Sequence, residues 1–412
     1  MSQESVNPIL ESLKSNPVTV ELTKPDGKAG NLSAMEEALL MAAAFESDRK
    51  TRIIVKKNKY EAQQLYSRLA MLEQEVLLFV MDESLRLQAI AASPEEKNAQ
   101  VNALYQMTQD FPKLIITNTA AFTRFLPDAE YFKNSCITLK TGQEISRHEL
   151  SEKLLRMGYA KVNYAEQPCS FAMRGGILDV YSLNYADPIR IEFFDTEIDS
   201  IRFFNPQTQR TVRSTEEVTL IPAADVLFTD EQIQTITENV RKKLPEELKK
   251  IEPAGQDLLE EAVEEDLRAI ESYDPQARLY RYFSWVPSAT VLDYCDGEVV
   301  FSPAEDVEEF AKQIVKDNAS YMQEEVQDFQ ALPHYMMFHD LHKLEQKNKP
   351  FRISRFQPFD LDEESGIQTL DAPGLNYLEW VPQEAAKDNV FFALEKEIWI
   401  CSLRKWISLI FI

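Results

Sequence analysis

The sequence predicts an α/β fold: a parallel sheet with helices packed on it, interrupted by a small antiparallel sheet. Three observations predict it. Short apolar runs alternate with helical patterns from Met35 to Thr117, the order that builds a parallel sheet. Between Ile177 and Phe204 the pattern switches to a period of two, the signature of half-buried strands. After Ala223 the chain returns to charged helices and then to an apolar run ending at Phe301. A chain of 412 residues is long enough for two to four domains.

Residues 1–24 read as a ragged lead-in, a short helix and a strand over Val18 to Leu22, broken by Pro25-Asp26-Gly27. Asn31 or Ser33 is placed to cap the helix that runs from Met35 to Phe45. Arg52 to Lys56 reads as a strand. Lys59 to Leu72 follows as an amphipathic helix with Tyr60, Leu65, Leu69 and Leu72 near helical spacing, and Val76 to Val80 as another strand. Glu95-Glu96-Lys97 precedes a helical pattern through Val101, Leu104 and Met107, and Leu114 to Thr117 is a buried strand.

The smaller sheet begins near Cys136, with a strand over Ile137 to Leu139. Arg147 to Met157 is a helix with Leu150, Leu154 and Leu155 inward, ended by Gly158 as a left-handed cap. Arg174-Gly175-Gly176 marks a tight turn, because paired glycines permit positive φ. Ile177 to Tyr181, Ile189 to Phe194 and Ile198 to Phe204 are strands, the last ended by Asn205-Pro206. On the second, Ile189, Ile191 and Phe193 face the core, while Arg190, Glu192 and Phe194 face out. On the third, Ile201 and Phe203 alternate with Arg202 and Phe204. A phenylalanine beside an arginine on a wet face is a composition that protein interfaces favour. A merely solvated polar face is the alternative.

Asp230 to Lys249 and Ala254 to Tyr273 are helical, broken at Glu252-Pro253, and the acidic run Glu260, Glu261, Glu264, Glu265 and Asp266 forms a solvated face. Arg278 to Phe283 is basic and aromatic, but six residues are too few to argue nucleic-acid binding, and core packing accounts for them. Glu305 and Asp306 start a helix. Residues 343–372 read as an edge strand and linker. The tail Glu397 to Ile412 is aromatic and apolar, out of character with the rest, and reads as a lost or truncated coding frame. A membrane anchor and an interfacial helix are its alternatives, although Arg404-Lys405 split the run and shorten it below a span.

Charge and chemistry narrow the function. The formal net charge of -24, from 68 acidic and 44 basic residues, repels nucleic acid wherever no basic patch intervenes, and no long patch is visible. Cys136, Cys169, Cys295 and Cys401 lack CxxC spacing and suggest reduced thiols in a cytoplasm. There is no signal-peptide core and no stretch long enough to span a bilayer. His339 and His342 could share a helix face, with His334 nearby, but no third ligand stands at a strong spacing, so no metal is expected. A phosphate-binding loop needs G-x-x-x-x-G-K-[ST]; around Gly27, Gly30 and Ser33 the glycine spacing is wrong and no lysine precedes the serine. An ordinary turn and helix cap fits better.

The run FAMRGGILDVY, followed by PIRIEFFD, EIDSIRFF, TQR and then VTLIPA, resembles the UvrB-homology module of bacterial transcription-repair coupling factors. The excision-repair protein UvrB has a related version. The likeness is strong between Gly158 and Ala223 and looser over roughly the first four-fifths of the chain.

The resemblance implies a degenerate helicase-like parallel-sheet domain, with residues 1–135 as its first part and 223–342 as its second. Inserted between them is a small α+β UvrA-binding domain, residues 136–222; residues 343–412 hold a linker, the start of a next domain and the apolar tail. It implies UvrA contacts at Arg174, Arg190 and Phe194, with Glu192 a weaker candidate. It implies a decayed nucleotide site at Gly27, Gly30 and Ser33. Ser302-Pro303 stands where a working motif has Asp-Glu for Mg²⁺, so no cofactor and no catalytic residue is expected in this chain. The long aromatic hairpin of UvrB has no counterpart, since Phe79 to Asn98 is short and lacks a tyrosine cluster. Relatives use ATP to translocate on double-stranded DNA and to displace stalled RNA polymerase, through domains that lie further along. In them this module folds back on the motor and hides its UvrA face. The expected protein is a cytoplasmic monomer. The rival is a divergent UvrB-like, ATP-binding DNA helicase subunit; a non-functional gene remnant is a third possibility.

Overall fold

The computed structural model describes residues 8–355 apart from 25–26, 31, 74, 85–92 and 334–335. Its main sheet has six parallel strands in the order β1-β14-β13-β2-β4-β3. These are β1 (Lys28–Ala29), β2 (Arg52–Lys56), β3 (Val76–Phe79), β4 (Leu114–Asn118), β13 (Glu298–Phe301) and β14 (Phe351–Ile353). β2 and β4 are buried at all five positions, as their unbroken apolar runs require of central strands covered on both faces. Ile53, Val55 and Ile115 face one core, while Ile54, Leu114 and Ile116 face the other. The helices Ala34–Asp48 and Lys59–Leu69 cover the second face. Pro94–Met107, Asp230–Leu248, Pro253–Glu271 and Ala304–Gln327 supply the first.

Between β4 and β13 the chain builds a second sheet, in the order β11-β10-β9-β8-β7-β6. Its strands are β6 (Ala160–Lys161), β7 (Ser170–Arg174), β8 (Ile177–Tyr181), β9 (Ile189–Phe194), β10 (Glu197–Phe204) and β11 (Thr211–Thr215). All its pairs are antiparallel except β6 with β7. A two-stranded ribbon joins β5 (Ile137–Lys140) to β12 (Glu217–Leu220). The helix Arg147–Arg156 packs Leu150 and Leu154 against Leu178, Val180, Ile189, Ile191 and Ile201 in a core of the module's own. Gly158 ends that helix at φ +84, as its sequence position predicts.

Several expectations are corrected. Val18 to Leu22 lies in the helix Pro17–Leu22, not in a strand. Asn16 accepts from the Val18 N–H at 2.9 Å and Pro17 sets φ in the first turn, which outweighs the β-branched composition. Tyr60 is exposed, and its helix ends at Leu69. Leu155 is exposed as well. Phe204 is buried, because the β10–β11 register shifts at Phe203/Phe204 and the Arg190 guanidinium lies over the Phe204 ring at 4.3 Å. Asp266 is buried, accepting from Arg278 Nε at 2.6 Å and the Tyr282 hydroxyl at 2.9 Å. β14 is no edge strand but sits between β1 and β13. Within Arg278 to Phe283, Tyr280, Arg281, Tyr282 and Phe283 are buried, in keeping with core packing. The tail from residue 356 onward, Asn31 and His334 lie outside the described residues.

Candidate partner-binding face and the crevice of the parallel sheet

The outer face of the antiparallel sheet carries the residues that the sequence singled out. Two glycines build the β7–β8 turn for different reasons. Gly175 has φ +58, a conformation costly for other residues. A Cβ on Gly176 would lie 3.0 Å from the Phe193 carbonyl oxygen, and the Phe193 N–H donates to the Gly176 carbonyl at 2.8 Å. The turn thereby fixes Arg174 opposite Ile177 of β8, which is itself opposite Glu192 of β9.

Arg190, Glu192 and Phe194 alternate along β9 and share its outer side. Arg190 is directly opposite Asp179 of β8. Its Nε donates to Asp179 Oδ1 at 2.6 Å and its Nη2 to Oδ2 at 2.8 Å; Nη2 also donates to Gln209 Oε1 at 2.7 Å. The hydrogen bond to Asp179, offset in part by burial, raises the guanidinium pKa further. Arg174 Nη2 donates to the same Asp179 Oδ2 at 2.5 Å, and its guanidinium lies 4.8 Å from the Tyr164 ring. Glu192 is held by Arg202 and by the Ser200 hydroxyl at 3.1 Å. Phe194 is 78% exposed. The structure therefore brings Arg174, Arg190, Glu192 and Phe194 to one face. Sequence reasoning missed Asp179, Tyr164, Arg202 and Gln209. Asp179 left a signal: an acid in the middle of the apolar strand Ile177–Tyr181, in phase with its polar side.

At the other candidate site, Gly27 packs against β14. A Cβ there would lie 2.4 Å from the Phe351 ring, so its glycine is explained by packing. Ser33 caps the helix Ala34–Asp48 in a capping box: Ser33 Oγ accepts from the Glu36 N–H at 3.4 Å, and the Ser33 N–H donates to Glu36 Oε2 at 2.7 Å. Glu37 of the same turn is buried. It accepts from Lys56 Nζ at 3.0 and 3.1 Å, and Lys56 also donates to Ser302 Oγ at 3.2 Å. Lys56 ends β2, and Ser302 follows β13, so the ion pair occupies the carboxyl ends of adjacent parallel strands. Glu305 and Asp306 stand in the first turn of Ala304–Gln327, as expected, and meet Arg355.

His339 and His342 do not share a helix face. Asp340 caps the helix Leu341–Asn348, leaving His339 outside it, 3.2 Å from the Ala289 carbonyl oxygen and edge-on to Phe125. Burial lowers the pKa of His339. No cluster of three or more His, Cys, Asp or Glu side chains fit to hold a metal occurs among the described residues. Cys136, Cys169 and Cys295 are free thiols, each pushed up to about 11 by burial. No helix among the described residues is long and apolar enough to cross a membrane.

Residues 137–225 match the family described as the UvrB interaction domain, so the inserted module is of that class. Over most of its length the chain is similar to transcription-repair-coupling factors. That of Bacillus subtilis (strain 168) is 26% identical over 386 residues, 89% of this chain and 33% of the relative. That of Staphylococcus epidermidis (strain ATCC 35984) is 30% identical over 304 residues, 72% of this chain and 25% of the relative. That of Staphylococcus haemolyticus is 28% identical over the same number of residues. The chain thus spans a third or less of the length of these curated relatives.

Proposed function

We propose that this chain acts in transcription-coupled repair as a UvrA-docking module carried on a nucleotide-free, helicase-like domain. The observation that carries the proposal is Phe194, an outward aromatic on the sheet face that also carries Arg174 and Arg190, within the segment that matches the UvrB interaction domain. An exposed phenylalanine serves no core. Its apolar surface is gained back only when a partner covers it, and arginine with aromatic side chains makes up binding hot spots. Arg174, Arg190 and Phe194 are the contact residues, with Glu192, which is already paired to Arg202, a weaker candidate. ATP-driven translocation on double-stranded DNA and polymerase displacement belong, in this proposal, to lengths of the relatives that the chain does not span.

The parallel-sheet domain is proposed to take no nucleotide. Glu36 occupies the helix start where a phosphate would sit, and Glu37 neutralises Lys56 in the adjoining crevice. The test of docking is capture of purified UvrA by the wild-type chain and by Phe194→Ala. The wild type is expected to bind, and Phe194→Ala to bind about tenfold more weakly or worse, as a hot-spot truncation does. Equal capture by both would overturn the assignment of this face.

A further inference from the structure

We propose that Asp179 is the positioning residue of the docking face, a buried carboxylate that holds Arg174 and Arg190 in the arrangement a partner recognises. The inference rests on the UvrA-docking role proposed above. Asp179 lies in the middle of β8; its neighbours Leu178 and Val180 point into the module's core, and it points to the outer face. Its side chain is only 2% exposed, a costly place for an anion unless both oxygens are satisfied. They are: Oδ1 by Arg190, and Oδ2 by Arg190 and Arg174 together.

Two guanidiniums from two strands therefore converge on one carboxylate, leaving a surplus of positive charge directed outward. Each is held from another side as well, Arg190 by Phe204 and Gln209, Arg174 by Tyr164. The Arg190 side chain is 14% exposed and the Arg174 side chain 41%, so both retain an accessible edge. A long side chain already fixed loses less entropy when a partner binds it, and a planar fork discriminates only when its plane is set.

Removing the carboxylate has two effects of opposite sign. Deleting an anion beside two cations strengthens attraction for an acidic surface and speeds encounter. Releasing the guanidiniums weakens the bound state and speeds dissociation. The second dominates here, because one carboxylate orients both arginines at once. The experiment measures binding kinetics of the full chain to UvrA. Asp179→Asn is expected to bind about tenfold more weakly, with the loss in dissociation rate. Unchanged or tighter binding would overturn the proposal.

A purely structural role is separated by the same substitution in an Arg174→Ala/Arg190→Ala background. There Asp179 has already lost both partners, so Asp179→Asn relieves a stranded carboxylate and is expected to leave residual binding through Phe194 unchanged or improved; a further loss would show that Asp179 acts on binding otherwise than through the two arginines and overturn the positioning role. Should Asp179→Asn fail to fold, Asp179→Glu retains the charge while displacing the carboxylate by one methylene. Weaker binding by Asp179→Glu supports positioning, and wild-type affinity overturns it. A wild-type chain that does not bind UvrA at all overturns the docking role itself, a different failure.

Discussion

Phe194 and Arg190 stand on the same side of β9, yet their removal has different costs. Phe194 is open to solvent, so Phe194→Ala is expected to change stability by no more than about 0.5 kcal/mol. Arg190 closes over the buried Asp179, and Arg190→Ala leaves that carboxylate with Arg174 alone; a loss of about 2–3 kcal/mol is expected in urea unfolding. Phe194 is thus the cleaner probe of docking, because its loss of binding cannot be confused with a loss of fold. A second residue sets a pH dependence. Burial first, and the nearby Glu46 next, push the Glu73 carboxyl up to about 7. Its pKa in the folded state then exceeds the 4.5 of an ordinary glutamate, so the folded chain keeps a proton that the unfolded chain has released. Stability is expected to fall as pH rises from about 4.5 to about 7. Glu73→Gln should flatten that fall and gain about 1–2 kcal/mol at pH 8, read from urea unfolding at pH 5 and pH 8.

Elements with a local cause were legible in the sequence, and elements with a distant cause were not. β2, β4, β8 and β9 show their period or apolar run directly, and Ser33, Gly158 and the Gly175 turn announce their geometry by residue type. Arg190, Glu192 and Phe194 were found because alternation alone puts them on one side. Asp179 shows in the sequence as an acid within an apolar strand, but its role does not, because its partners come from β7 and β9. Phe204 was misplaced for the same reason: its burial comes from a register shift against β11 and from Arg190 across the sheet. The helix Pro17–Leu22 did have a local cause, since Asn16-Pro17 is a helix start, but β-branched composition obscured it. At this scale the turn makes a prediction. Gly175→Ala meets no atom within 4 Å but forces alanine to φ +58, so a loss of about 1–2 kcal/mol is expected. Thermal unfolding of the chain measures it.

At the scale of the whole molecule, the parallel sheet closes its crevice with an ion pair, whereas the antiparallel sheet leaves Phe194 exposed. An open parallel sheet binds ligands at the carboxyl ends of its strands, and here the ends of β2 and β13 converge on Lys56, Glu37 and Ser302. A triphosphate entering that crevice would have to part Lys56 from Glu37 and leave the carboxylate buried beside it. Glu36 would compete for the same helix start. If Lys56 were poised for a phosphate, ATP with Mg²⁺ would raise the melting temperature of the chain and give saturable heat in calorimetry. Neither is expected. If instead the pair is structural, its two halves depend on each other. Lys56→Ala strands Glu37 and is expected to cost about 3–5 kcal/mol, whereas Lys56→Met with Glu37→Leu, which removes both charges and keeps volume, is expected to be neutral or stabilising by about 1–4 kcal/mol. Urea unfolding of the two variants separates the cases. A single substitution no worse than the double would mean that the charges do not depend on each other, and the crevice would again be open to a nucleotide.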